Sequence, residues 1–342
     1  MIDSILNYLT SGHIVWISFT LSAAAIVYSA MALARYGDII AARTGAGGML
    51  IGVLLLAGVT SLPELLTSIN AVNINQPNIA AGNLLGSSAV NMVILALLGI
   101  LSQRRGGMRD ITYSHILSGS LATFMGTLVL LFIASNSVLE RIGFNVGWIG
   151  IDSLLIISVY IYAIYIIQKS EADAISTEMS AEELADIPSL RHGVIGFTLA
   201  ALALVIVTPV MVRGSEVIAE ITGLGTSFIG STLVAFVTSL PELVTTVSAA
   251  KIGAYEMAVG NLFGSNMFNM FGVGMTDIFY TRGRIFDVID PSFVVIGMVG
   301  VMMTSFALVG NVSSAKWTNK LPIDSILMFL IYLGGMYLLY IM

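Results

Sequence analysis

The 342-residue sequence contains no cysteine. Disulfides, thiolate metal ligands and thiol nucleophiles are therefore excluded, and the redox compartment is left open. Histidine is scarce: His13, His115 and His192 are the whole supply, all at expected membrane edges. Zinc or copper, which favour His and Cys donors, would find little to bind. Charge is short as well. Asp, Glu, Lys and Arg make up 10% of the chain, against roughly 25% in soluble domains. The formal net charge of −6 comes without any basic cluster, so nothing argues for nucleic acid as a partner. The N-terminal MIDSILNYLTSGH lacks the basic start of a cleaved signal peptide.

What fills the chain is apolar. Hydrophobic residues are 57% of it, and mean hydropathy is +0.94. Uncharged runs at 14–34, 44–63, 65–103, 113–139, 221–241 and 325–342 suit helices crossing a hydrocarbon core, which needs roughly 20 residues each. The expected fold class is an all-α membrane protein with the lipid bilayer around it. Ten transmembrane helices are expected near 14–35, 47–72, 78–102, 113–135, 145–168, 194–220, 225–250, 257–280, 290–311 and 322–341. Alternate loops divide Lys and Arg ten against four. The richer side belongs in the cytoplasm, which leaves both termini extracellular.

The chain also repeats itself. VTSLPELLTSIN at 59–70 returns as VTSLPELVTTVS at 237–248, with eight of twelve positions identical. GNLLGSSAVNM at 82–92 returns as GNLFGSNMFNM at 260–270, with seven of eleven identical. Both pairs share one offset of 178 residues. Each half holds five spans, and an odd number turns the second half over in the membrane. The layout expected is a first five-helix repeat over 1–168, an acidic cytoplasmic linker over 169–193, and a second, inverted repeat over 194–342. Inverted repeats are a transporter signature, with the site near the midplane where broken helices meet.

Each VTSLPE motif sets a carboxylate beside a helix breaker. Pro63 and Pro241 have no N–H, so neither can bond the carbonyl four residues back, at Val59 or Val237. Glu64 and Glu242 follow directly, and Glu64 is the only charged residue between Arg43 and Arg104. Ala57, Thr60, Ser61 and Glu64 share one helical face, as do Ala235, Thr238, Ser239 and Glu242. Asn83, Ser87 and Asn91 are spaced by four, and so are Asn261, Ser265 and Asn269. Gly82, Gly86, Gly260 and Gly264 let helices approach closely. The donors collected are all hard oxygens. They suit Ca²⁺, which takes about six to eight oxygens, and by the same hardness Na⁺.

These residues resemble the cation/calcium exchanger superfamily, in particular its sodium/calcium exchanger branch of prokaryotic type. That branch carries GTSLPE and GN-x-x-GS-N-x-x-N/D in each of two inverted repeats. The resemblance implies an antiporter, not an enzyme, exchanging Ca²⁺ for Na⁺ by alternating access, with no cofactor beyond its cargo and acting as a monomer. Glu64 and Glu242 would be central ligands of both ions, joined by Thr60 and Thr238. Ser87 and Ser265, with the carbonyls of Ala57 and Ala235, would complete outer and inner Na⁺ sites, and Asn91 and Asn269 would line the middle. Spans 14–35 and 194–220 would be a long, tilted gating pair.

Two departures stand out. The family's Gly before Thr-Ser-Leu-Pro-Glu is Val59 here, and Val237 in the second half. Asn269 stands where members often carry Asp, so the site has two carboxylates and not three. Two Glu balance one Ca²⁺, whereas three Na⁺ would leave +1. Proton coupling, or exchange of Mg²⁺ or Mn²⁺, are the alternatives.

Other readings divide the remaining residues. Ser61, Ser239, Thr67 and Thr245 could ligate or bond their own helix backbone. Asp152 and Asp324 read as structural helix starts. In the linker, Ser180 and Glu183 form a capping pattern for a short helix ending near Pro188. A membrane hydrolase using both acids, or a cation channel, would be other functional classes. The first lacks any nucleophile motif, and the second predicts uncoupled currents.

Overall fold

The computed structural model describes residues 14–44, 57–103, 113–172, 187–251, 255–313 and 323–342. In the first half, α1 spans Ile14–Thr44. A helical turn at 57–60 leads into α2, Leu62–Asn73, and then α3, Pro77–Gln103. α4, Tyr113–Ala134, is followed by the short α5, Asn136–Arg141, a hairpin, and α6, Ile151–Ala172. The second half opens with α7, Leu190–Thr222. A broken segment follows: α8 at Thr226–Ile229, a π turn at Gly230–Val234, α9 at Ala235–Thr238 and α10 at Leu240–Lys251. α11, Tyr255–Phe279, α12, Phe293–Ser313, and α13, Ile323–Ile341, complete the chain.

Helices stand at all ten expected spans, the second of them described only from residue 57. A helix keeps every backbone bond within itself, which hydrocarbon demands. α1, α3, α4, α6 and α7 are each long and apolar enough to cross alone, and the segment 226–251 does so as a bent pair. Burial is turned inside out relative to a soluble protein. Tyr28, Ile161, Ile206 and Leu330 face outward, while Glu64, Asn91, Ser87 and Thr238 are fully enclosed.

Several boundaries differ from expectation, and α1 runs on to Thr44 where an end near 35 is expected. Residues 145–150 are not helical: Asn145 pairs with Gly150 and Val146 with Ile149 across a two-stranded turn, which Gly147 permits with φ 66°. The fifth span therefore starts at Ile151. α7 starts at Leu190, not 194, because the Ser189 hydroxyl accepts the His192 N–H at 3.3 Å and caps the helix. The seventh span is interrupted by the π turn. A Cβ on Gly82 would stand 2.8 Å from Ser231 N, and one on Gly86 would stand 2.5 Å from Ser231 O. Backbone meets backbone there, and only glycine leaves the room. The short linker helix near 180–188 lies outside the described residues except for its last two positions, which are not helical.

Equivalent helices run antiparallel, which is the inversion itself. Gly193 of α7 lies against Ile39 of α1, and Gly214 against Phe19 and Val15: as one number rises the other falls. α3 and α11 cross the same way, with Leu84 against Gly272 and Asn91 against Asn266. The related pairs are turned over about an axis in the membrane plane.

Two polar junctions tie the bundle at one end. Gln76 donates to Glu216 of α7, which also receives Arg213, and Asn70 donates to Thr208. In the loop after α11, buried Arg284 binds Asp152 through Nε at 2.9 Å and also holds Asp287 and Asn136. Burial alone would lower the Arg284 pKa, but the adjoining Asp152 and Asp287 carboxylates outweigh it and the net direction is upward. Asp277, also enclosed, accepts the Gly150 N–H at 2.7 Å and the Ile285 N–H at 2.6 Å. Asp152 is a helix start, as expected, and the anchor of a buried ion pair as well. His115 is buried in the first turn of α4, at one end of its span.

Candidate cation site

Both VTSLPE motifs break at their serine. Ser61 has φ −92° and ψ 4°, and Ser239 has φ −85° and ψ 2°. These dihedrals lie in the sparsely populated bridge region, where a helix cannot continue. Each helix resumes one residue later with proline in its first turn, a position that needs no N–H. The second-half segment bends by 41° at this point. Both Glu64 and Glu242 then sit in the first turn of a new helix, where its N-terminal dipole favours negative charge.

The two breaks cross, and each serves the other's carboxylate. Ser61 Oγ donates to Glu242 Oε1 at 2.8 Å, and Ser239 Oγ donates to Glu64 Oε1 at 3.3 Å. Glu64 and Glu242 are both 0% exposed. Thr238 adjoins Glu64, and Thr60 and Ser265 adjoin Glu242. Thr238 Oγ1 donates to Asn83 Oδ1 at 2.9 Å; Thr60 Oγ1 approaches Asn261 Oδ1 at 3.5 Å. Ser87 Oγ donates to the Ala235 carbonyl at 3.3 Å. The Ala57 carbonyl accepts the Ser61 N–H at 3.0 Å, and its Cβ lies beside Gly264.

α3 and α11 close the middle. Asn91 Nδ2 donates to Asn266 Oδ1 at 3.0 Å, and Asn269 Nδ2 donates to Ser88 Oγ at 3.4 Å. Alongside hydroxyls such as that of Ser265, the buried side-chain atoms left without a hydrogen bond include four that can only accept: Oε2 of Glu64, Oε2 of Glu242, Oδ1 of Asn91 and Oδ1 of Asn269. They form two pairs under the 178-residue offset. Burying a polar atom unpaired is unfavourable by about 1–3 kcal/mol, so four such atoms of one kind mark a place for a positive ligand. Among the described residues no three of His, Cys, Asp and Glu cluster. The site offers two charges and a shell of neutral oxygens.

All twelve residues singled out in the sequence are buried around this crossing. Thr245 bonds its own helix, at Pro241 O and Glu242 O, while Ser61 and Ser239 do not. Asn83 and Asn261 act as stitches: Asn83 Nδ2 donates to Glu64 O at 2.9 Å, and Asn261 Nδ2 to Thr245 Oγ1 at 3.2 Å. The partners of the two middle amides, Ser88 and Asn266, are not among the twelve. Their signal was present in the sequence, since both lie three residues before the amides and on the same offset.

Inverted repeats, paired helix breaks and a buried oxygen-lined crossing define a membrane ion transporter of the antiporter class. Residues 14–168 and 192–341 match the sodium/calcium exchanger protein family, and the chain belongs to it. It is 29% identical to the inner membrane protein YrbG of Escherichia coli (strain K12) over 249 residues, 72% of this chain and 73% of that one. Its fold is shared with the sodium-calcium exchanger NCX_Mj at a TM-score of 0.59 and 24% identity, over 94% of this chain and 97% of that one. It is shared too with the H⁺/Ca²⁺ exchanger CAX at 0.73 and 14% identity, over 99% and 88%.

Proposed function

We propose that the protein exchanges Ca²⁺ for Na⁺ across the cell membrane by alternating access. The observation that carries this reading is the set of four unpartnered buried acceptors on Glu64, Glu242, Asn91 and Asn269. A divalent cation between the two carboxylates balances their charge, and oxygens alone surround it, as Ca²⁺ prefers. Thr60, Thr238, Ser61, Ser239, Ser87, Ser265 and the carbonyls of Ala57 and Ala235 supply the neutral oxygens of the Ca²⁺ and Na⁺ positions. α1 and α7 slide as a pair past the other helices to open one face and then the other. The protein works as a monomer, with 169–193 cytoplasmic and both termini extracellular.

Proton coupling is the second reading. With Asn at both 91 and 269, the pocket has two carboxylates to neutralise, and two protons would do so as well as two Na⁺. Purified protein in vesicles, loaded with Na⁺ or acid and offered radioactive Ca²⁺, separates the two. The expected result is uptake driven by outward Na⁺ and abolished by Glu64→Gln or Glu242→Gln. Uptake that follows only the proton gradient selects the second reading, and uptake indifferent to both Glu variants ends the first.

A further inference from the structure

We propose that Ser88 and Asn266 are positioning residues that set the polarity of the cation site by holding the Asn91 and Asn269 amides in one orientation. This rests on the reading of the crossing as a cation site. A primary amide carries an acceptor oxygen and a donor NH₂ of nearly the same shape. Turned one way it helps bind a cation, and turned the other it repels one. Something must therefore decide the direction.

The decision is made across the repeats. Asn266 Oδ1 receives the Asn91 NH₂ at 3.0 Å, which leaves Asn91 Oδ1 free and buried. Ser88 Oγ receives the Asn269 NH₂ at 3.4 Å, which leaves Asn269 Oδ1 free and buried. The Ser88 hydroxyl hydrogen is already committed to the Leu84 carbonyl at 3.1 Å. Its lone pairs are what it can offer an amide, so it selects NH₂ over C=O. Both positions are enclosed, Ser88 at 6% and Asn266 at 4% exposed.

The pairing mirrors that of the carboxylates. Ser61 lies three residues before Glu64 and bonds Glu242; Ser88 lies three before Asn91 and receives Asn269. At both levels a residue of one repeat aims the ligand of the other. The level differs in one respect, since the two equivalent acceptors are a hydroxyl and an amide oxygen. Serine is therefore a working acceptor at this position of the fold, which provides a conservative control.

The test compares Asn266→Leu, Ser88→Ala and Asn266→Ser in vesicles, measuring half-saturating Ca²⁺ and maximal flux separately. Ca²⁺-dependent thermal stabilisation of the purified proteins is read alongside. Residues that orient a metal's ligands typically contribute about 10–100-fold in affinity. Asn266→Leu and Ser88→Ala should raise half-saturating Ca²⁺ by about tenfold or more with smaller loss of maximal flux, and should shrink the Ca²⁺-dependent Tm shift in proportion. Asn266→Ser should recover most of the affinity. Unchanged half-saturation in both loss variants, in a protein whose wild type transports Ca²⁺, overturns the inference alone. A wild type with neither Ca²⁺ flux nor Ca²⁺ stabilisation overturns the cation-site reading beneath it. If Asn266→Leu does not fold, Ser88→Ala and Asn266→Ser decide.

Discussion

Ser61 of the first repeat donates its hydroxyl to Glu242 of the second at 2.8 Å. The reverse bond, from Ser239 to Glu64, measures 3.3 Å. Each carboxylate thus has one oxygen fixed by the other repeat's hinge and one without a hydrogen bond. Removing either hydroxyl frees a carboxylate to rotate away. Ser61→Ala and Ser239→Ala should each raise half-saturating Ca²⁺ by about tenfold, within the range seen for groups that orient metal ligands. The double variant should fall short of the product of the two, because the residues share one network. Vesicle flux measured against Ca²⁺ concentration checks both statements.

Pro63 holds the first hinge open by withholding a backbone donor. Pro63→Ala restores a possible bond to Val59 O, but Pro63 stands in the first turn of α2, where proline is well tolerated, so no helix-interior penalty is relieved. The variant should keep a similar Tm and exchange more slowly, since a straightened helix moves Glu64 off the crossing. Unchanged exchange would show that the break is not maintained by the proline.

Gly86→Ala should be the most damaging small substitution. Its Cβ would meet Ser231 O at 2.5 Å and Ser231 Cα at 2.7 Å, atoms of a backbone that cannot swing aside. Overpacking a tight core is unfavourable by about 1–3 kcal/mol and occasionally more. A lower Tm and a distorted site are expected together. Gly225→Ala, with open space around its Cβ, should leave Tm within a degree or two and serves as the control.

Much of this was legible in the chain before folding. Uncharged runs of the right length give helices because hydrocarbon leaves no other use for the backbone, so most of the spans could be expected from apolar stretches read along the chain. The inversion follows from an odd span count and two polar motifs in one register. The π turn at Gly230–Val234 could not be seen that way. It forms where Gly82 and Gly86 press from a distant helix, and Gly230 is the one local residue that departs from an ordinary helical pattern. The crossing bonds were hidden for the same reason: spacing places Ser61 and Glu64 on one face, but only the fold says that the serine serves Glu242. Arg284, one vote in the count of loop charges, proves to be enclosed with Asp152; a linear count cannot tell a solvated charge from a paired one.

That pair makes its own prediction. Arg284→Met leaves Asp152 fully buried without its cation, and breaking a buried pair from one side typically destabilises by about 3–5 kcal/mol. The loop 280–287 and the hairpin 145–150 should loosen together, since Asp277 bonds both. Hydrogen exchange should rise in both segments, and Tm should fall. The guanidinium's upward pKa direction keeps it charged across the working pH range, so wild-type stability should show no step attributable to this pair from neutral to moderately alkaline pH.

The contact between Gln76 and Glu216 ties α7 to the loop after α2, and so to one face of the bundle. Asn70 and Thr208 bond nearby, and the two ties together would act as a seal on that face. The orientation read from the loop charges puts it outside. Losing a hydrogen bond to a charged group removes roughly 1.5–3 kcal/mol, which is tenfold or more in an equilibrium, although Arg213 still holds Glu216. Gln76→Ala should therefore enlarge the outward-open population about tenfold. The absence of cysteine makes this simple to read, because a single thiol introduced by Met211→Cys, at a site 0% exposed, is the only one in the protein. A membrane-impermeant thiol reagent should label it faster in the Gln76→Ala background, and only from the extracellular side. Equal labelling in both backgrounds removes the seal from the gating cycle, while faster labelling from the cytoplasmic side keeps the seal and reverses the orientation.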